Sequence, residues 1–250
     1  MNPFPWPTRP SKPVDIRKLP VPSGLSLLFL GPHPDDFDAV AVTMRWFHQR
    51  GTRLHVAVAT PSGSGVEDGY SGARTPEAKA TIREKEQRES CRFFGLPESA
   101  LSFLHMSEDE DGHPTSNDAN LETIRHLLAE TQPDILAMPH GNDTNPGHQR
   151  IYTMAMDTAK SAGMPIMALL NRDPKTIAIR QDAFTPFDDN AARWKGEMLR
   201  LHQSQHQRNL NTRGHGFDER ILEVNRRFAQ DLRLDAPFAE VFQLESFGPR

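Results

Sequence analysis

An apolar run that stops at a glycine and a proline constrains the fold of this chain more than any other feature. Residues 25–30 (LSLLFL) are almost entirely apolar, and residues 31–37 (GPHPDDF) follow directly. A short apolar run ended by Gly-Pro predicts a buried strand whose carboxyl end enters a turn. Open α/β sheets bind their ligands at the carboxyl ends of the strands, so the polar residues of this turn are candidates for a functional site.

The turn offers the residue types that bind transition metals. His33 and Asp36 leave the same tight bend and can converge on one point, with Asp35 held between them. An imidazole and a carboxylate suit zinc or another divalent transition metal, and a catalytic zinc usually takes three protein ligands and leaves one position open for water. The other interpretation of Asp35 and Asp36 is structural, since a carboxylate here can cap the N-terminus of the next helix.

The rest of the chain alternates strands and helices. This alternation predicts a single α/β domain with a mostly parallel, Rossmann-like sheet flanked by helices and a site at the carboxyl ends of the strands. Strands are predicted at residues 25–30, 54–59, 101–106, 134–138, 167–170, 176–180 and 238–244. Helices are predicted at residues 38–50, 76–94, 121–130, 149–162, 189–207 and 218–229. The glycine- and serine-rich segment 60–75 is expected to border the site.

The N-terminus differs from the rest of the chain in its proline content. Prolines stand at positions 3, 5, 7, 10, 13, 20 and 22. They predict an extended arm over residues 1–22, without helix or central strand, and one domain over residues 23–250. Phe4 and Trp6 are candidates to fasten the arm to the domain surface or to a neighbouring subunit, and simple disorder of the terminus is the alternative.

Composition argues against several classes of function. The net charge of −4 gives no basis for nonspecific binding to a phosphate backbone, so nucleic acid is not an expected partner. Neither a Gly-x-Gly-x-x-Gly nor a Walker pattern is present, which disfavours nucleotide binding. No run approaches membrane-spanning length, no signal peptide is recognisable, and Cys91 is the single cysteine. We therefore expect a cytoplasmic protein without a disulfide framework and without a membrane partner.

A second predicted strand-to-helix turn repeats the chemistry of the first. The predicted strand 134–138 runs into residues 139–148 (PHGNDTNPGH), and His148 stands where the next helix begins. A lone histidine is more often a packing or capping residue than a ligand. Because two turns at one edge of the sheet carry histidine and aspartate, we predict His148 as the third metal ligand.

With both turns identified, the chain resembles the zinc-dependent N-deacetylases of the PIG-L/LmbE-like family. The resemblance spans residues 25–244, and its most specific element is residues 32–36 (PHPDD), which are similar to the first metal-binding motif of the family. Supporting elements are residues 83–86 (REKE) leading to residues 94–95 (FG), the loop 143–148, and residues 195–205, which end in the signature-like HQSQ at 202–205.

The resemblance implies a catalytic role for the first turn. His33, Asp36 and His148 would hold one zinc ion per chain, or another divalent transition metal, and Asp35 would be the general base. Zinc polarises an amide carbonyl and lowers the pKa of bound water to about 7, and an adjacent carboxylate accepts the proton of that water. Family members often form homo-oligomers, so the resemblance also implies a homo-oligomer.

One departure from the family pattern concerns the acid. Many family members have His-Pro-Asp-His where residues 145–148 of this chain read NPGH. Asn145 keeps a hydrogen-bond donor for an oxyanion, but an amide cannot act as an acid. The proton for the leaving amine must then come from Asp35 or from another histidine. The candidates are His140, His202 and His215, of which we predict His202 as the catalytic one.

Together these observations predict a hydrolase that removes acetyl from an N-acetylglucosamine-type amino sugar or its conjugate and releases acetate and a free amine. Arg83, Asn142 and Asp143 are candidates to hydrogen-bond the hydroxyls of this small-molecule substrate, and each has an alternative role as a capping or salt-bridge residue. Two other functions stay open: an amidase that cleaves a larger amide conjugate, and a non-catalytic sugar-binding or assembly protein with the same fold. A base beside a metal favours an enzyme, since binding alone requires no base.

Overall fold

The apolar run after residue 25 becomes an interior strand of an eight-stranded sheet in the computed structural model, which describes residues 6–247. The strands are β1 (Val14–Asp15), β2 (Ser26–Gly31), β3 (Arg53–Val58), β4 (Leu101–Phe103), β5 (Ile135–Pro139), β6 (Met167–Asn171), β7 (Ala183–Phe187) and β8 (Phe238–Ser246). The helices are α1 (Ala41–His48), α2 (Pro76–Phe94), α3 (Asp118–Thr131), α4 (Pro146–Ser161), α5 (Asp189–Leu199), α6 (Gln203–Arg213) and α7 (Phe217–Asp231).

The sheet has the order β1-β7-β8-β6-β5-β2-β3-β4. β8 is antiparallel to its neighbours β6 and β7, and the other pairings are parallel. The predicted mostly parallel sheet flanked by helices is confirmed. Because β6, β5, β2, β3 and β4 are consecutive parallel neighbours, their carboxyl ends all open on the same edge of the sheet.

The core explains why β2 is continuously apolar rather than alternating. Leu27 and Phe29 pack into the cluster beneath α1 and α2, whereas Leu28 and Leu30 pack into the cluster beneath α3 and α4. A parallel strand that is covered on both faces needs apolar side chains at every position. No helix within residues 6–247 is both long enough and apolar enough to cross a membrane.

The N-terminal arm packs on the domain. Trp6 is buried, and its ring lies 5.9 Å from the ring of Phe47 in α1. Val14–Asp15 pairs with β7 at the edge of the sheet, in keeping with the expectation that the arm holds no central strand. A single-turn 3-10 helix, Ile16–Lys18, was not predicted. Phe4, the other predicted anchor, lies outside the described residues.

The predicted strand at residues 176–180 is wrong. That segment forms only an isolated bridge between Thr176 and Asp143, and the strand that pairs with β8 in this part of the chain is β7. Pro186 disguised β7 in the sequence, since a proline within an apolar run argues against a strand. In the structure Pro186 lies beyond the two-residue ladder with β1, so no hydrogen bond to β1 is lost there.

The predicted helix at residues 189–207 is in fact two helices. It is interrupted between Leu199 and Gln203, and the second helix, α6, continues past the predicted end at residue 207 to Arg213. The start of α6 is held by a distant residue, because the N–H and the hydroxyl of Ser204 each donate to Glu86 of α2 at 2.7 Å. A break that depends on a contact between two helices leaves no local pattern in the sequence.

A buried ion pair fastens α1, α5 and β8 together. Lys195 Nζ is fully buried and donates to Glu240 Oε1 at 2.7 Å and to Asn225 Oδ1 at 2.8 Å. The same glutamate accepts the N–H of Thr43 at 2.8 Å. Breaking a buried ion pair is costly because the remaining charge has no water and no counter-charge.

We expect Lys195→Met to lower the free energy of unfolding by about 3–5 kcal/mol, because Glu240 stays buried without its cation. Lys85→Met is the matched control: its Nζ lies 3.8 Å from Glu89 on the exposed face of α2, and its removal should cost about 0–1 kcal/mol. Urea unfolding followed by circular dichroism measures both values. Equal losses in the two variants would show that the pair does not fasten these elements.

Candidate metal centre

Five loops at the carboxyl edge of the sheet surround one cavity. The segments that follow β2, β3, β4, β5 and β6 all contribute to its lining. Its volume is about 460 Å³, within the usual range for small-molecule sites. Ser62, Ser64 and Gly65, from the segment expected to border the site, line the cavity.

The three predicted metal ligands lie together at the base of this edge. His33, Asp36 and His148 each offer a ligand atom, and these atoms all lie within 4.8 Å of one another. Asp36 is central: its Oδ2 lies 3.4 Å from His33 Nδ1, and its Oδ1 lies 3.3 Å from His148 Nε2. The same carboxylate accepts the backbone N–H of His33 at 2.8 Å, which holds the turn in shape.

Two further carboxylates face the opposite edge of the His148 ring. Asp143 Oδ2 and Asp173 Oδ2 each lie 3.3 Å from His148 Nδ1. Asp143 is fixed in turn by the N–H of Asn145 at 2.7 Å and by the hydroxyl of Thr176 at 3.2 Å. Carboxylates behind a histidine are common in metal sites, because they orient the ring and leave its other nitrogen for the metal.

The charges around the two histidines favour a cation at this position. Burial lowers the pKa of His33, so its imidazole is neutral near pH 7 and can donate a lone pair. Burial also opposes a charge on His148, but Asp36 and Asp143 outweigh it and raise the pKa of His148 to about 10. The carboxylates therefore stabilise positive charge here, and two imidazoles with one carboxylate are a donor set that suits a divalent transition metal.

A glycine keeps the space beside His33 open. Asn145 caps α4 and accepts the N–H of Gly147 at 2.8 Å through its side chain. A Cβ added to Gly147 would lie 2.8 Å from His33 Nε2, well inside the usual contact distance. A side chain at position 147 would therefore collide with His33. The first turn of α4 needs glycine there so that His148 can lie close to His33 and Asp36.

Asp35 lines the cavity from a strained backbone position. Its φ is +104°, in a region that residues other than glycine rarely adopt and that recurs at functional sites. Two residues of α2 hold it: Arg83 Nη2 donates to Asp35 Oδ2 at 3.1 Å, and Gln87 Oε1 accepts the Asp35 N–H at 2.9 Å. Arg83 also donates to the carbonyl of Pro34. The Asp35 carboxylate is thus fixed next to the ligand cluster.

His202 lies behind this turn rather than in the cavity. It is fully buried, and its Nε2 lies 3.2 Å from Asp38 Oδ2, an ion-pair distance without the alignment of a hydrogen bond. Asp38 also accepts from Gln87 at 3.4 Å, and Gln87 holds the backbone of Asp35. The prediction of His202 as a catalytic histidine is therefore corrected, because this side chain supports the turn from the interior and cannot reach a substrate.

The other predicted polar residues divide into two groups. Arg83 and Asn145 line the cavity. Asn142 is exposed outside the lining and donates to a backbone carbonyl before β7 at 2.9 Å. Asp143 is completely buried behind His148. Asn142 and Asp143 therefore have structural roles here, which corrects their prediction as substrate-binding residues.

Two residues beside the ligands were not predicted from the sequence. Asp173 follows the end of β6, and a carboxylate at one more strand end was the signal that could have identified it. His113, in the loop after β4, lines the cavity with its Nδ1 3.3 Å from His33 Nε2. His140 and His215, the other histidines considered from the sequence, do not belong to this lining.

Fold and site together define an α/β protein with a cluster of histidines and carboxylates that could hold a metal ion at the carboxyl edge of its sheet. The sequence model of the PIG-L family, described as GlcNAc-PI de-N-acetylase, matches residues 28–159. This match covers more than half of the chain, so the protein belongs to the PIG-L family, as its motifs predicted. Among curated proteins no significant match was found.

Solved structures with this fold include deacetylases and a hydratase. N,N′-diacetylchitobiose deacetylase from Pyrococcus horikoshii aligns with a TM-score of 0.72 and 16% identity over 88% of this chain and 83% of that chain. GalB, the 4-carboxy-2-hydroxymuconate hydratase from Pseudomonas putida, aligns with a TM-score of 0.67 and 17% identity over 90% of this chain and 97% of that chain. A zinc-inhibited form of teicoplanin deacetylase Orf2 aligns with a TM-score of 0.63 and 16% identity over 88% of this chain and 98% of that chain. At these identities the likeness shows the fold, and the activity has to be argued from the site.

The pair of His202 and Asp38 makes stability depend on pH in a defined direction. Burial opposes a charge on His202, but Asp38 more than offsets it, so the pKa of His202 is raised above its ordinary value of 6.5. A raised pKa in the folded state means that the folded protein binds this proton more tightly than the unfolded chain. The resulting stabilisation is complete below the ordinary pKa and is lost as pH rises through the folded-state pKa.

We therefore expect the stability difference between the wild type and His202→Gln to be largest below the ordinary histidine pKa of 6.5 and to shrink as pH rises through the raised pKa of His202. Denaturant unfolding across this range measures it. In an Asp38→Asn background, where the counter-charge is missing, the pH dependence of this difference should disappear. A difference that is constant or that grows with pH would contradict this view of the pair.

Proposed function

We propose that the protein is a metal-dependent N-deacetylase that removes acetyl from an N-acetylglucosamine-type amino sugar or its conjugate. The observation that carries this proposal is the cluster of His33, Asp36 and His148 beside the fixed carboxylate of Asp35, within a cavity of a PIG-L family chain. The deacetylase names of two solved structures with this fold support the choice of reaction.

Zinc is our proposed metal. Two imidazoles and one carboxylate are a common protein ligand set for catalytic zinc and leave a position open. When bound there, zinc would supply Lewis-acid polarisation of the amide carbonyl and would make a water molecule more acidic. His33 is neutral because of its burial, and His148 is oriented by Asp143 and Asp173 and would give up its Nε2 proton to bind the metal.

Asp35 is our proposed general base. Its carboxylate lines the cavity and accepts the proton of the attacking water, while Arg83 and Gln87 prevent the side chain and the turn from moving away. When the amide C–N bond breaks, the same carboxyl group can return that proton to the leaving amine. This route requires no second acid, which suits a chain with an asparagine at position 145.

Asn145 is our proposed donor to the substrate carbonyl oxygen. Its Oδ1 is occupied by the N–H of Gly147, whereas its amide Nδ2 makes no hydrogen bond within residues 6–247. The side chain lines the cavity next to His148, so the free N–H groups are available where negative charge develops on the oxygen.

Acetate release from a panel of acetylated compounds tests this function. We expect catalytic efficiency on N-acetylglucosamine or N,N′-diacetylchitobiose to exceed that on an N-acetyl amino acid or acetamide by about a hundredfold or more, because the polar groups that line the cavity would stay unpaired with those substrates. Asp35→Asn should lower turnover by about 10²–10⁴ with unchanged metal content. The exposed Asp235→Asn is the matched control. The metals assayed are Zn²⁺, Fe²⁺, Co²⁺ and Mn²⁺, since zinc inhibits one protein of this fold.

The outcomes separate the candidate functions. Acetate release confined to acyl-amino acids would discard the sugar substrate and keep the metal mechanism. Release of a larger acid with no acetate would favour the amidase. Sugar binding without any turnover would favour a non-catalytic protein, and wild-type turnover in Asp35→Asn would assign the base to another residue.

A further inference from the structure

Three cations that form no close ion pair with a carboxylate line the cavity. Lys175 lies in the loop after β6, Arg208 on α6 and Arg220 on α7, and all three side chains belong to the cavity lining. Among residues 6–247, no Asp or Glu oxygen lies within 4.0 Å of their side-chain nitrogens. We refer to Lys175, Arg208 and Arg220 as the cation triplet.

Other arginines near the cavity are paired. Arg83 lies 3.1 Å from Asp35, and Arg150 lies 2.6 Å from Asp109 in the loop after β4. The side chains of the triplet come from three separate elements and meet at the same cavity without such a partner. They are therefore the cavity cations that are free to bind a ligand.

Arg220 is a member of the triplet whose surroundings disfavour its charge overall. Its side chain is partly buried, and burial together with the nearby Arg213 lowers the pKa of Arg220 by more than Asp173 and Asp35 raise it. A guanidinium in this environment gains from an anion, because paired charge-assisted hydrogen bonds replace the lost hydration.

Arg208 places the triplet close to the proposed base. Its Nη1 donates to the carbonyl of Gly65 at 3.2 Å. Arg208 and Arg83 both lie against Gly65: a Cβ added to this glycine would lie 3.6 Å from Arg208 Nη1 and 3.3 Å from Arg83 Nη1. Arg83 in turn pairs with Asp35. An anionic group bound by Arg208 would therefore lie close to Asp35. One substrate molecule can present this group to Arg208 and its amide to Asp35.

We propose that the substrate carries a phosphate or carboxylate group in addition to its acetylated amine, and that the cation triplet binds this group. The inference rests on the proposed deacetylase function, because it assigns a chemical class to the substrate of the same cavity. Glu110 and Asp111 also line the cavity, but neither lies within 4.0 Å of a triplet nitrogen. They leave the triplet available for an anionic ligand.

Direct binding tests the inference separately from activity. In the full-length Asp35→Asn protein, in which we expect turnover to be about 10²–10⁴ slower, isothermal titration calorimetry compares N-acetylglucosamine with its 1-phosphate, its 6-phosphate and N-acetylmuramic acid, which carries a carboxylate. We expect at least one anionic ligand to bind about tenfold or more tightly than the neutral sugar. This preference should fall as the salt concentration rises. The phosphate and carboxylate ligands identify which anion the triplet prefers.

Charge-removing variants assign the preference to particular residues. In the same background, Arg208→Gln and Arg220→Gln should each reduce the ratio of anionic to neutral affinity by about five- to tenfold, which corresponds to one lost charge-assisted contact. Arg92→Gln removes an exposed arginine near the C-terminus of α2 and should leave this ratio unchanged. Circular dichroism establishes that all variants are folded.

Equal affinities for neutral and anionic sugars would overturn the inference and would mean that the cavity carboxylates, Asp173 first among them, balance the triplet at longer range. An anionic preference that survives in Arg208→Gln and Arg220→Gln would overturn it too. Acetate release from neutral N-acetylglucosamine by the wild type tests the deacetylase function independently, so either proposal can fail without the other.

Discussion

The site depends on the Asp36 carboxylate, which connects two turns that are far apart in the sequence. One oxygen faces His33 from its own turn at 3.4 Å, and the other faces His148 from α4 at 3.3 Å. This is possible because β2 and β5 are parallel neighbours, with Leu27 opposite Ile135, so both strands end at the same edge.

The same arrangement gathers negative charge in the protein interior. Asp36, Asp143 and Asp173 all face the His148 ring, and burying such carboxylates without a counter-charge costs several kcal/mol per ion, on the order of the stability of a small domain. A protonated His148 supplies one positive charge, and a divalent cation held by His33, Asp36 and His148 would supply two. We therefore expect metal binding and folding of this edge to be coupled, so that ligand geometry and stability have a common cause.

Sequence patterns were sufficient to predict a residue's position in the fold where that position depends on one strand and the turn that follows it. The strand before residue 31, the turn with His33 and the position of His148 at a helix start are all local features. The errors arise from contacts between distant elements. His202 has a family-like signature but packs on Asp38 inside the protein, and Asp143 faces the back of a histidine instead of the cavity. His113 reaches the site from a loop whose acidic composition gave no sign of its fold.

The most direct test of the proposed metal centre is X-ray absorption spectroscopy at the metal edge, combined with the metal content of the purified protein. We expect about one zinc or other divalent transition metal per chain, with imidazole nitrogen and carboxylate oxygen ligands at about 2.0–2.2 Å. Gly196→Ala, whose added Cβ approaches other residues no closer than 3.4 Å, should retain the metal. Gly147→Ala, whose Cβ would displace His33, should lose most of it. An unchanged metal affinity in folded Gly147→Ala, or a ligand shell without imidazole, would contradict the assignment of His33, Asp36 and His148.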